Sequence, residues 1–428
     1  MIRELRLRGF KNFLDATLPL GNLTLLVGTN ASGKSNLRDA FRFLHGVSRG
    51  YTLAEIIGEK WIEGGVLQWK GIRGGVKEAA YCNSTVFSLE MGMVLQVLRK
   101  RSTSIIPILH RYTYRIDVEL SENGRPPKVV RESLRGDNKM LFDSHPSDDP
   151  PRQEDAQHLF VRLPRNERNR KHGKRLQFIA SRPILSQITE HDETPDDVKV
   201  GVRRVVQALE AMRFLDLAPD AMRIPSIPGQ DILGDRGENL SSVLQSICET
   251  EASKEAILEW IRELTPLDVV NFEFVPDQTG KVLVTLIESG GQETSAYSAS
   301  DGTLRFLAMI AAMLGTKPAK FYFFEELENG IHPTRLHLLL QLIEQKVSEG
   351  KIQVVATSHS PQLLGFLSEK ARKDAALVYR LADQPDARIQ PILQIPEVER
   401  ILKEQDLARL HSSGWLEDAV AFLEGAER

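Results

Sequence analysis

The chain has 428 residues, of which 41% are hydrophobic and 26% charged, with a formal net charge of −3. This balance suits a globular chain that holds a large domain plus an inserted or second one, and it excludes a global basic field, so any nucleic-acid surface has to be local. No apolar run is long enough to cross a membrane as a helix. The opening Met1-Ile2-Arg3-Glu4 begins a strand pattern rather than a signal peptide, and a cytoplasmic location is expected. Cys82 and Cys248 stand in no metal-ligand spacing and read as small buried hydrophobes.

In chain order, Ile2–Arg8 alternates apolar and charged residues, the pattern of a half-buried strand. The turn Gly9-Phe10-Lys11-Asn12-Phe13 has two readings, an approach to a nucleotide or a pair of core aromatics, and the core reading is favoured. Leu23–Val27 is a buried strand leading into Gly28-Thr29-Asn30-Ala31-Ser32-Gly33-Lys34-Ser35, which fits G-x-x-x-x-G-K-[ST]. Its glycines let backbone N–H groups close around phosphate oxygens. Lys34 adds a cation at the β/γ-phosphates, and the Ser35 hydroxyl can ligate Mg²⁺. The helix Lys34–Leu44 follows, with Leu37, Phe41 and Leu44 on one stripe and its N-terminus toward the loop, where its dipole favours an anion. ATP and Mg²⁺ are therefore expected ligands.

Leu53–Gly75 reads as a short helix and a glycine-rich loop. Thr85–Met91, Arg111–Leu120 and Lys128–Leu134 read as strands. Asp143–Lys174 is polar, with few apolar residues beyond Leu159–Leu163, and Arg162–Arg175 is basic enough to touch a phosphate backbone, although a solvated loop is the preferred reading. Pro195–Met212 and Asn239–Leu264 carry helical periodicity. They are joined by the proline- and glycine-rich Asp216–Gly237, and strands return at Val269–Val275 and Val282–Ile287.

Ser300-Asp301-Gly302-Thr303 then opens an apolar helix. Lys320–Glu326 reads as a buried strand ending in two carboxylates, Glu325 and Glu326, where the first can support Mg²⁺ and the second can orient or deprotonate an attacking water. Leu327-Glu328-Asn329-Gly330-Ile331-His332-Pro333 and a helix follow. The strand Ile352–Ala356 leads into Thr357-Ser358-His359-Ser360, where a histidine can sense a γ-phosphate.

Together these motifs resemble the ABC-type ATPases of the SMC/RecF/OLD group, most of all bacterial RecF/OLD-like AAA-family ATPases, many of them in phage-defence systems. The resemblance rests on Gly28–Ser35 with Asn36, Ser300–Thr303, Phe321–Glu326, Glu328–Pro333 and Thr357–Ser360, and on the opening Arg8–Phe13. Arg236–Leu240 and Leu410–Asp418 are similar too. The resemblance implies an α/β ABC-ATPase head, mixed β-sheets around a phosphate-loop helix, with a helical insertion lobe. With the patterning along the chain, this gives 1–141 and 269–392 as the two parts of the head, 142–180 as a polar and basic connection, 181–265 as the lobe and 393–428 as a helical tail. It also implies that Ser300, Asp301, Gly302 and Thr303 contact the γ-phosphate held by an opposite subunit. Glu326 corresponds to the catalytic glutamate, His359 to the switch histidine and Glu325 to the metal-side acid. Asp301 stands where the group has glycine, and a positive neighbour such as Arg305 is expected to balance it. Gln68 and Arg73 are the candidates for the Q-loop position.

The function expected is an ATP-driven switch, a homodimer or higher oligomer closing on two ATPs and controlling a separately encoded nuclease or toxin. With 69 residues after His359, no nuclease domain is expected there. The alternative is a RecF-like DNA-binding ATPase in repair or recombination, touching DNA through Arg162–Arg175.

Overall fold

A computed structural model describes the chain apart from residues 102–103, 121–124, 138, 145–156, 164–173, 266, 382–383, 403–405 and 427–428. Its contacts divide the chain into two units. The first comprises Met1–Gly21, Thr29–Met212 and Val378–Gln390, and the second Asn22–Gly28, Arg213–Leu377 and Pro391–Arg428. The architecture is mixed α/β, as expected.

The first unit is built on an eight-stranded sheet in the order Lys174–Ile179, His158–Leu163, Lys139–Asp143, Lys128–Gly136, Ser104–Glu119, Val86–Arg101, Ile2–Phe10 and Phe13–Pro19. Its neighbours pair antiparallel. The two-residue period of the first strand explains its place: Leu5 and Leu7 are fully buried, whereas Arg6 and Arg8 reach Asp15 on the next strand at 2.8 and 3.6 Å. Phe10 and Phe13 are fully buried, so the core reading of that turn holds. The segment read as a polar connection contributes two strands to this sheet, through buried Val161, Leu163, Leu176 and Phe178. The Arg162–Arg175 patch falls largely outside the described residues, which omit 164–173. The helix Lys34–Ser48 buries Leu37, Phe41 and Leu44 and packs with Leu53–Ile57 and Asp196–Glu210. Between the short helix Leu53–Ile57 and the glycine-rich Trp69–Gly75 lies a small hairpin that the sequence reading did not foresee, Lys60–Ile62 with Val66–Trp69.

One carboxylate lies deep in this unit. Glu132 accepts from the Tyr114 hydroxyl at 2.8 Å and from the N–H groups of Ile184 and Leu185 at 2.6 and 2.8 Å. Burial pushes its pKa up to about 7 against the pull of those three donors. The cysteine expectation fails for Cys82, which is exposed in a left-handed turn at φ 49°.

In the second unit, Phe321–Phe324, Gln353–Thr357 and Leu23–Val27 lie side by side and parallel. Met212–Leu215 flanks Phe321–Phe324 on one side, and Ala376 and Leu377 pair with Leu26 and Val27 on the other. Parallel strands buried on both faces need continuous apolar runs, and Leu23–Val27, Phe321–Phe324 and Gln353–Thr357 are buried throughout. The helices Asp301–Leu314 and Leu336–Ser348 supply much of the unit's remaining core. A three-stranded antiparallel sheet, Val269–Pro276, Val282–Glu288 and Glu293–Ser295, packs with Leu240–Ile247. The single helical pattern over Asn239–Leu264 resolves into Leu240–Ile247 and Glu251–Leu264, broken around Thr250.

Candidate nucleotide site

The phosphate loop joins the strand Leu23–Val27 to the helix Lys34–Ser48. Its backbone uses conformations that favour glycine, with φ 145° at Gly28 and 120° at Gly33, and Ala31 is left-handed at 61°. A Cβ on Gly33 would lie 2.7 Å from Asn12 Nδ2 and 3.0 Å from the Phe13 ring, so the turn after the first strand presses directly on the loop. Asn12 fastens it, accepting from Asn36 Nδ2 at 2.7 Å and donating to the Ser32 carbonyl at 3.3 Å. Lys11, beside it, is buried against Asp39 at 2.7 Å, and Asp39 also takes Arg73 Nε at 3.2 Å. Of the two Q-loop candidates, Arg73 is thus tied to the loop's own helix and Gln68 is exposed on the small hairpin.

Lys34 Nζ donates to the Thr29 carbonyl at 2.9 Å. Ser32 is buried to 2% exposure with an unpartnered Oγ among the described residues. A buried hydroxyl without a partner is costly. In this loop it fits a donor to an anion's oxygen. In the loop the Ser35 hydroxyl is half-buried, a hard oxygen of the kind Mg²⁺ takes, and in the second unit Glu325 follows the end of the strand Phe321–Phe324. Among the described residues no group of three or more His, Cys, Asp or Glu side chains could hold a metal by itself.

Within the second unit, parallel pairing aligns the carboxyl ends of three strands, the edge where α/β sheets bind ligands. Val27 leads to Gly28, Phe324 to Glu325 and Glu326, and Thr357 to Ser358 and His359. The N–H of Ser358 donates to the Leu26 carbonyl at 2.9 Å, which ties the histidine turn to the strand that feeds the phosphate loop. Glu326 is left-handed at φ 48°, an uncommon state for a glutamate. It is held there by its N–H on Thr357 Oγ1 at 3.0 Å and by the Leu327 N–H on the Thr357 carbonyl at 3.0 Å. Glu326 Oε1 lies 4.0 Å from His359 Nε2, and Oε2 accepts from Asn329 Nδ2 at 3.3 Å. The structure thus brings Glu326, His359 and Asn329 together. Glu328, whose role the sequence reading left unstated, clamps the histidine turn. Its Oε1 accepts from the N–H groups of His359 and Ser360 at 2.6 and 3.0 Å.

Ser300 caps the helix Asp301–Leu314, its Oγ accepting from the Thr303 N–H at 3.1 Å. The expected partner of Asp301 is corrected. Arg223, not Arg305, holds it at 2.6 Å. Arg305 lies one helical turn along, with its stem toward Gly330, where a Cβ would stand 3.3 Å from Arg305 Cδ. Arg223 sits in the irregular Asp216–Gly237 stretch, which gave no periodic signal. No helix among the described residues is long and apolar enough to cross a membrane.

Residues 23–365 match a family model described as "AAA domain, putative AbiEii toxin, Type IV TA system". A chromosome partition protein Smc from Methylococcus capsulatus is 48% identical over 63 residues, which cover 13% of this chain and only 5% of that protein. An ATP/GTP phosphatase from Helicobacter pylori is 19% identical over 379 residues, 87% of this chain and 89% of that one. Among solved structures, an Smc head bound to the C-winged helix domain of ScpA matches with a TM-score of 0.46 at 14% identity, covering 91% of this chain and 96% of that chain.

Proposed function

The chain belongs to this AAA-domain family, and from that premise we propose that it binds and hydrolyses ATP as a dimerising switch controlling a separate effector. The observation that carries the reading is the shared edge of the second unit's parallel sheet, where Gly28, the Glu325–Glu326 pair and His359 all follow strand ends. A relative named ATP/GTP phosphatase that aligns with 87% of the chain supports the same activity.

In this reading the N–H groups of the loop and Lys34 bind and orient the triphosphate, with Gly28 through Asn36 forming the cradle. Ser35 and Glu325 would hold Mg²⁺, which would supply neutralisation of the charge developing on the phosphates. Glu326 takes the role of general base on the attacking water. Its carboxylate is aimed by Asn329, and its backbone is locked by Thr357. His359 is close enough to Glu326 for one to sense the other's charge. Ser300 through Thr303 present a helix N-terminus suited to the phosphates of a second chain. Flanking that turn in the chain, Tyr297 is 63% exposed, and near Arg223 Ile224 and Ile227 are 58% and 60% exposed, which supports a covered surface there.

The partner proposed is a nuclease or toxin in bacterial phage defence, since a conformational output needs a protein that prefers one state. Light scattering of Glu326→Gln with Mg²⁺ and either ATP or ADP tests the switch. A dimer with ATP and a monomer with ADP is the expected result, and one mass under both conditions sinks the reading.

A further inference from the structure

Arg223 belongs to none of the motifs, yet it grips the turn that opens the helix Asp301–Leu314. Its Nη2 donates to the Ala299 carbonyl at 3.1 Å and to Asp301 Oδ1 at 2.6 Å, while Nη1 donates to Asp220 Oδ1 at 3.2 Å. Its own backbone is anchored. Arg223 closes the short helix Pro219–Met222, and three residues later Ser226 exchanges two backbone hydrogen bonds with Val282 of the three-stranded sheet. A guanidinium that meets a carbonyl and a carboxylate together fixes both geometry and charge.

Charge is the point here. Asp301 places a carboxylate, 63% exposed, in the turn assigned above to meet a second chain's phosphates. Unbalanced, it repels them. The next residue makes position equally strict, because a Cβ on Gly302 would lie 2.3 Å from the Gly330 carbonyl oxygen. Gly330 follows Asn329, which donates to Glu326. Displacement of the turn therefore reaches the proposed catalytic acid of the same chain through one van der Waals contact and one hydrogen bond.

The geometry points to Arg223 as a positioning residue for this turn, cancelling the Asp301 charge and setting the turn where it can receive a triphosphate held by a second chain. The inference rests on the switch reading above. The experiment measures kcat, the nucleotide affinity of the isolated chain and Tm for Arg223→Ala, Arg223→Gln, Asp301→Asn and the double variant Arg223→Ala/Asp301→Asn. Arg223→Ala is expected to lose about tenfold or more in kcat, the scale of one charge-assisted contact, with affinity within about twofold. The double variant is expected to recover most of that loss, because the turn itself then carries no carboxylate. Arg223→Gln keeps a donor for the Ala299 carbonyl but no charge, and should fall with Arg223→Ala. Asp301→Asn alone is expected to stay near wild-type turnover, and wild-type turnover in either Arg223 single variant overturns the inference. A lowered Tm with no recovery in the double variant overturns it too, since that is how a merely structural contact behaves. Lys34→Ala run alongside separates the levels. If it turns over normally, the ATPase reading itself fails. If it is inactive while Arg223→Ala is unimpaired, only the role of Arg223 falls.

Discussion

Lys34 is the only cationic side chain in Gly28–Ser35, and its ammonium is held over the loop by the Thr29 carbonyl. Lys34→Ala is expected to weaken nucleotide binding by about 100-fold or more, roughly 3 kcal/mol, the loss of a charge-assisted contact to phosphate. Calorimetry showing unchanged affinity would remove the loop from the site. Glu326→Gln keeps the side chain's shape and its contact with Asn329 but loses the base. Turnover should fall about 100-fold or more while affinity persists, and wild-type turnover would shift the role to Glu325. Most of these residues are legible in the sequence because each motif carries its chemistry in a fixed local spacing. Arg223 is not, and Glu328 and Asn12 are visible only as members of motifs, since the roles of all three come from contacts across 78, 31 and 24 residues of chain. No local pattern encodes such a pairing.

At the scale of elements, two features make separate claims. Glu132 joins the strand Lys128–Gly136 to the start of the helix Ile184–Gln187, and burial raises its pKa to about 7 from an ordinary 4.5. The raised value fixes the sign. The folded chain keeps a proton that the unfolded chain has released, so this group's contribution is full below pH 4.5 and lost as pH rises to about 7. Glu132→Gln should abolish that part of the pH dependence, on the order of 3 kcal/mol between pH 5 and pH 8 in denaturant melts. Equal slopes for the two proteins would show that Glu132 does not titrate in this window. Gly302→Ala forces a methyl toward the Gly330 carbonyl, so it should cost about 1–3 kcal/mol of stability and slow turnover as the loop beside Glu326 shifts. An unchanged Tm with full activity would show the loop free to move aside. Elements were legible wherever one period dominated, as in Ile2–Arg8 and Lys34–Leu44. They were missed where polar residues line a sheet's outer face, as in Lys174–Ile179, whose buried Leu176 and Phe178 are too few to announce a strand.

At the scale of the molecule, the division read from composition and the division by contacts describe different things. Composition follows patterning along the chain. Contacts follow pairings such as Val354 with Leu23, which place Asn22–Gly28 with Arg213–Leu377 and leave Thr29 onward in the other unit. The question left at this scale is whether one chain completes a site. If the turn at Ser300 serves a partner's nucleotide, two chains inactive for different reasons must repair each other. A Lys34→Ala chain retains its Ser300 turn. A Ser300→Arg chain retains its phosphate loop, and because Ser300 is exposed the arginine costs the fold little beyond a lost helix cap, about 1 kcal/mol. Mixed at equal concentration, each inactive alone, they should regain phosphate release through one working site of the two in every heterodimer. Dilution should abolish the gain, because only assembled pairs hold a composite site. Heterodimers proven by differential tagging yet devoid of ATPase would mean that each chain works with its own turn, and the shared-site switch would have to be abandoned.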